Sequence, residues 1–341
     1  MRRDMSDNRA LVLTFAWLVA ASLSWAAQKK GTIDPQSLIL KARSKEILWT
    51  EGTPKTAVRA DLQVAGRQGG WVTGQYVFAW ASPSRWREEI KFANYDRLWI
   101  GGEKGYWQTS NLDYQPEIVF QLDKMLDIRD LIGLSPDESL GKVKQRKKHG
   151  VTEDCTEVKG KFGTARTLCF DDAAGALVAV EYATPGISLI EYSDFRPVAG
   201  KILPFEIRAT NDGRAIAVVK VTTAGGFDEN DGALFSAPTN AEFWARCDDM
   251  RISKWPLQSQ AIPVYPSAAK ANHEQGTVIF YAIIEADGSV SHLAPIQMAA
   301  PDLVASAADA VRTWRYTPAM CDGKPIRRET QISVVFTLGG P

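Results

Sequence analysis

One stretch of this 341-residue chain, Tyr265 to Leu338, specifies its own secondary structure step by step, and it constrains the fold more than any other part. Gly276 to Ile284 is a run of β-branched and aromatic residues, and Ala286-Asp287-Gly288 supplies a glycine able to take positive φ and turn the run into a hairpin. Beyond Pro301 and Asp302, the apolar residues Leu303, Ala307, Ala310, Val311 and Trp314 recur at helical spacing. Asp302 stands near the positive end of that helix, Arg312 and Arg315 near the negative end, and Pro318 stops it. The closing strand alternates: Thr330, Ile332, Val334, Phe336 and Leu338 face one way, Glu329, Gln331, Ser333 and Thr337 the other. The apolar face needs the helix as its cover, and a small β-β-α-β unit is expected.

Upstream, residues 34–227 read as a twisted antiparallel sheet with a few helices. Pro35 to Glu46 has helical spacing, and Pro116 to Ile132, with Ile118, Leu122, Met125, Leu126 and Ile128, reads as a second helix. Tyr76, Phe78 and Trp80 share one strand face; after Ser82-Pro83-Ser84, Trp86, Ile90 and Phe92 share a face while Arg85, Arg87, Glu89 and Lys91 share the other. Leu177–Tyr182, Ile187–Phe195, Ile202–Thr210 and Arg214–Val221 repeat the strand pattern, the last two joined through Asn211-Asp212-Gly213, a hairpin turn. Large rigid aromatics wall apolar pockets well, so Tyr76, Phe78, Trp80, Trp86, Ile90 and Trp99 are the expected lining of any cavity on this sheet, with core packing as the competing role. Residues 228–260 carry an acidic, glycine-containing run and several prolines and read as a semi-rigid connector to the unit at 261–340.

At the amino terminus Arg2, Arg3 and Arg9 precede an apolar run from Ala10 to Ala27 that ends in small residues, the pattern of a signal peptide over 1–26 cleaved after Ala26. The alternative is a retained membrane anchor, which needs about 20 apolar residues; this run is slightly shorter. Four cysteines in an exported chain point to two disulfides, read as Cys155 with Cys169 across a Gly-Lys-Phe-Gly turn and Cys247 with Cys321. Other connectivities, and buried free thiols, remain open. The 40 basic and 40 acidic residues cancel, which leaves no global field to draw nucleic acid or anionic lipid. The basic run Lys142 to Lys148 is offset by Glu153 and Asp154 and reads as a solvated strand or loop.

Enzyme and metal signatures are missing from the sequence. His149, His273 and His292 lie far apart without metal-ligand spacing, and no nucleophile elbow, phosphate loop or His-Glu-x-x-His occurs. No catalytic residue, metal or cofactor is expected.

The C-terminal unit resembles the TonB C-terminal domain family. The resemblance lies in Val264-Tyr265-Pro266, Gly276-Thr277-Val278, Asp287-Gly288-Ser289-Val290, Ala307 to Arg315, Tyr316-Thr317-Pro318-Ala319 and Asp322-Gly323-Lys324-Pro325. It implies a periplasmic module that grips outer-membrane transporters or other envelope proteins by strand addition, because a sheet edge offers unpaired N–H and C=O groups. By that resemblance the docking strand is Glu329, Thr330, Gln331, Ile332, Ser333, Val334 and Val335, with its polar face left solvated. The upstream region, through Trp80 to Ile90 and the hairpin from Leu203 to Gly213, resembles the LolA/LolB lipoprotein-carrier superfamily, an open half-barrel plugged by helices. The expected fold class is therefore α+β, and the expected function is envelope docking in support of TonB-dependent transmembrane transport. The alternative is a periplasmic lipid or lipoprotein carrier. An energy-transducing TonB has a membrane helix bearing histidine and a long proline-rich spacer; neither pattern is present here, which puts coupling to the proton gradient in doubt.

Overall fold

The computed structural model describes residues 33–66, 69–134, 138–148, 150–160, 165–182, 187–227, 232–246, 256–297 and 299–338. The expected leader lies outside the described residues. Among those described, no helix is long and apolar enough to cross a membrane.

The first helix, α1 (Pro35–Glu46), starts where local chemistry sets it: the Asp34 carboxylate accepts the Gln36 N–H at 3.1 Å and Pro35 opens the first turn. It buries Leu38, Ile39 and Ala42. Five strands follow as a meander: β1 (Thr56–Ala65), β2 (Trp71–Ser82), β3 (Arg85–Phe92), β4 (Tyr95–Gly102) and β5 (Gly105–Ser110). The stretch that reads as one helix over 116–132 is two, α2 (Glu117–Leu126) and α3 (Ile128–Ile132). Asp127 leaves the helical region at φ −97°, ψ 86°, and its carboxylate accepts the Arg129 N–H, so one residue ends α2 and caps α3.

The sheet continues through β6 (Glu138–Leu140), β7 (Lys144–Lys148), β8 (Val151–Gly160), β9 (Arg166–Asp171), β10 (Leu177–Tyr182), β11 (Leu189–Val198), β12 (Lys201–Asn211) and β13 (Arg214–Gly225). Because β13 pairs with β1, both halves form one antiparallel sheet. The Cys155–Cys169 disulfide joins β8 to β9 at directly opposed positions. Cys321 is also disulfide-bonded, while Cys247 lies outside the described residues. The region read as a connector supplies a strand of its own: β14 (Glu242–Ala245) pairs with β5 and ends the large sheet. Most of the basic run lies in β7, where Arg146 bonds Glu153 and Glu181 and Lys148 bonds Glu191, while Lys144 and Lys147 are exposed.

The last third contains β15 (Leu257–Ser259), α4 (Ser267–Ala271), β16 (Gly276–Ile284), β17 (Val290–Gln297), α5 (Pro301–Val311), β18 (Arg315–Tyr316), β19 (Ala319–Cys321), β20 (Lys324–Ile326) and β21 (Arg328–Phe336). A three-stranded antiparallel sheet runs β17-β16-β21. Leu303, Ala307 and Val311 of α5 share one core with Val278, Phe280, Ala282 and Ile284 of β16 and Ile332, Val334 and Phe336 of β21. The short strands β18 to β20 carry no periodicity in the sequence; they form two small ladders, β15 with β18 and β19 with β20.

Gly288 turns β16 into β17 with φ 82°, and a Cβ there would lie 2.0 Å from the Tyr316 carbonyl oxygen. Strained φ and a backbone clash act together, and Gly288→Ala is expected to destabilise the chain by about 2 kcal/mol or more in urea unfolding. Gly213→Ala, which has the same positive φ but open space, is expected to cost less.

Candidate docking surface

β21 pairs with β16 from Arg328 to Phe336 and has no strand on its other side among the described residues. Ile332 and Val334 are buried under α5, and Thr330 is half-buried. Ser333 is exposed, and Val335 is 64% exposed, unusual for a large aliphatic side chain in a strand.

The polar face of that strand is not solvated along its whole length. Glu329 accepts the Tyr281 hydroxyl at 2.8 Å and the Gln108 amide of β5 at 3.5 Å, and Gln331 donates to Glu117 of α2 at 2.9 Å. Burial pushes the Glu329 carboxyl above its ordinary range, with the Tyr281 bond opposing the shift. Tyr281 and Ile283 of β16 and Ile296 of β17 pack with Trp244 of β14, flanked by Tyr106, Tyr114 and Phe120. Arg327 pairs with Glu242 at 2.6 Å and lies over the Trp244 ring. The larger sheet therefore covers the face opposite α5. A signal for this exists in the sequence: Gly276 to Ile284 is apolar without alternation, the mark of a strand buried on both faces.

On the larger sheet, opposed pairs Tyr76 with Ile90, Trp80 with Trp86, and Phe78 with Glu88 place the expected cavity residues on one face, and Glu88 opposite Trp99 adds the last. Tyr76, Phe78, Trp80, Trp86 and Ile90 are buried and Trp99 is half-buried. Trp49 sits 3.9 Å from Phe78 between ring centroids, Phe78 stacks with Trp86, and Trp99 meets Tyr106. One cleft of about 510 Å³ lies over Asp61 to Gln63, Thr73 to Gln75 and Lys91 to Ala93, and another of about 280 Å³ where β5 meets the C-terminal sheet. Neither is lined by any of the six.

The same face holds a charged cluster that composition hides. Arg97 is 1% exposed and donates to both Asp123 oxygens at 2.7 and 2.8 Å and to Glu88 at 2.6 Å, while Gln115 donates to Asp123. Its guanidinium lies 3.6 Å from the centre of the Trp99 ring. Burial raises Glu88 to about 7 against the pull of Arg97. Period-two spacing is the only sequence trace: Glu88 falls between Trp86 and Ile90, and Arg97 between Tyr95 and Trp99. Glu153, Cys155 and Cys169 also converge, but the sulfurs are bonded to each other and Glu153 is paired with Arg146, so no thiolate is present to hold a metal.

Residues 261–338 match the family model of the Gram-negative bacterial TonB protein C-terminal. Within this TonB-like segment lie α4, β16, β17, α5 and β21. Protein TonB of Vibrio cholerae serotype O1 is 28% identical over 107 residues, covering 31% of this chain and 44% of that protein. The chain thus spans less than half the length of that relative. Among solved structures, a LolA superfamily protein from Nitrosomonas europaea is similar with a TM-score of 0.40 and 11% identity, over 59% of this chain and 97% of that one. A DUF1329 family protein from Desulfovibrio piger gives 0.40 and 11%, over 59% and 95%.

Removing Arg97 strands two carboxylates in a buried layer, so Arg97→Met is expected to cost about 3–5 kcal/mol in urea unfolding at neutral pH. Glu88 binds its proton more tightly folded, near 7, than at its ordinary 4.5. Its contribution is complete below about pH 4.5 and is lost as pH rises towards 7. Glu88→Gln is expected to flatten that part of the stability–pH curve.

Proposed function

We propose that this protein is an envelope docking protein whose TonB-like segment takes up an extended segment of an outer-membrane or other envelope protein as a fourth strand beside β21. The supporting observation is the one-sided pairing of β21, with Ser333 and Val335 exposed along it. Its backbone groups supply affinity, and alternate side chains supply selectivity. In this reading Glu329 to Val335 form the docking strand, residues 34–227 form a LolA-like region, 228–260 lead from it, and 261–340 form the docking region. The proposed setting is the periplasm, reached by the signal at 1–26, and the proposed role is support of TonB-dependent transmembrane transport. No catalytic step is needed.

In this reading, with α5 on one face of the small sheet and Trp244 and Phe120 against the other, the partner joins an edge, and the half of β21 from Ile332 to Phe336, beyond the contacts made by Glu329 and Gln331, is the part offered to it. A lipid or lipoprotein carrier needs an open apolar cavity; of the six residues expected to line one, Phe78 and Trp80 meet the Trp49 ring, Phe78 stacks on Trp86, and Trp86 and Trp99 meet Tyr106.

Photo-crosslinking groups placed separately at Ser333 and Val335 test this in the intact envelope. Strand pairing requires both adducts on one envelope protein, at sites two residues apart in a single extended segment. A control group at Leu40, 56% exposed on α1, is expected to give no such pair. Unrelated adducts from the two positions, or none, would overturn the docking reading.

A further inference from the structure

A buried carboxyl that strand docking leaves unused stands at the end of α1. Glu46 is the last residue of that helix and 3% exposed. Its Oε1 accepts the Leu177 N–H of β10 at 2.5 Å, while Oε2 is buried with no hydrogen-bond partner among the described residues. An ionised carboxylate here would lie against the negative end of the helix dipole and keep one bare oxygen out of water, and both effects disfavour the charge. Burial pushes the Glu46 carboxyl up to about 8, against the opposing pulls of the Leu177 N–H and Lys45. The charged and titratable groups around it are engaged elsewhere. Lys45 of α1 donates to the Ala174 carbonyl, Lys201 of β12 donates to the Ser44 carbonyl at 2.6 Å, and Asp171 of β9 accepts the Ala174 N–H. Arg129 of α3 pairs with Asp127, and Tyr192 of β11 donates to the Met125 carbonyl at 3.1 Å.

The chain that follows Glu46 forms a cover. Ile47 and Leu48 are buried, Leu48 packs with Val58 and Val198, and the Trp49 ring lies 3.9 Å from Phe78 and 6.4 Å from Trp80 between centroids. Trp49 thus caps part of the aromatic face of β2, and the bond from Glu46 to β10 ties down the helix end next to it. We propose that Glu46 is a pH-operated latch: in its neutral form it fastens the end of α1 and Trp49 over the large sheet, and its ionisation loosens this arm and uncovers Phe78 and Trp80. The direction follows from proton linkage. In the fastened arm Glu46 keeps its proton up to about pH 8, whereas in water it loses it at its ordinary 4.5. The fastened state is therefore fully favoured below about pH 4.5, loses about tenfold per pH unit against the released state as pH rises towards 8, and changes no further above that. This device does not rest on the docking reading.

The test is deuterium exchange of the intact chain between roughly pH 5 and 7.5, with each rate corrected for the intrinsic pH dependence of amide exchange. Protection of residues 35–50, which span α1 and Trp49, is expected to fall about tenfold per pH unit in the wild-type chain. Protection of β12, which stays in the sheet when the arm lifts, is expected to fall less. Glu46→Gln keeps an acceptor for the Leu177 N–H and cannot ionise, so protection of 35–50 in that variant is expected to stay level across the range. A level wild-type profile overturns the proposal, and so does a Glu46→Gln profile as steep as the wild-type one, which would assign the titration to another group. A fall of β12 in step with 35–50 also overturns it, because the whole sheet would then be opening. That last comparison needs only the wild-type chain and decides the matter even where the variant does not fold. Crosslinking along β21 is read separately, so failure of either proposal leaves the other intact.

Discussion

The strand β16 is buried on both of its faces, and the arrangement of the C-terminal part depends on this. Val278, Phe280, Ala282 and Ile284 meet α5, while Tyr281 and Ile283 meet Trp244 and Phe120 from the other side. Fully burying one large apolar side chain is worth roughly 1.5–3 kcal/mol, so a residue such as Tyr281 commits the small sheet to the large one. Around this apolar contact the solvent-facing pairs Gln331–Glu117 and Arg327–Glu242 fix register more than they add stability, since polar pairs at the surface contribute little.

That commitment shapes the proposed function. A three-stranded sheet standing alone would offer one face and two edges; here the second face is consumed, and β21 keeps its edge. A partner strand added there would be held next to a body much larger than the TonB-like segment. Selectivity would then come from the exposed half of the strand, around Ser333 and Val335, instead of from the Glu329 end, where α2 and β5 already occupy the polar side chains.

Much of this is legible in the sequence, for identifiable reasons. The Asp287-Gly288 turn, the alternation of Thr330 to Phe336 and the Asp34-Pro35 helix start each depend on neighbours within a few residues, and local signals read them. The break at Asp127 is harder, because the apolar spacing runs through it and a single side-chain cap decides the matter. β14 is four residues long and joins β5 from more than a hundred residues away, which no local pattern encodes. The Arg97 cluster escapes for the same reason: its partners Glu88 and Asp123 come from a strand and a helix, and nothing in composition distinguishes them from solvated charges. The continuous apolar run of β16 did carry the news of a second buried face, but it does not name what covers that face.

Residue-resolved amide hydrogen exchange on the intact chain tests the central claim most directly. If β21 bonds only to β16, alternate amides from Ile332 to Phe336 point away from the ladder and should exchange at nearly unprotected rates, while those between them are slow. Uniform protection along the strand would show the edge already occupied and would contradict the account.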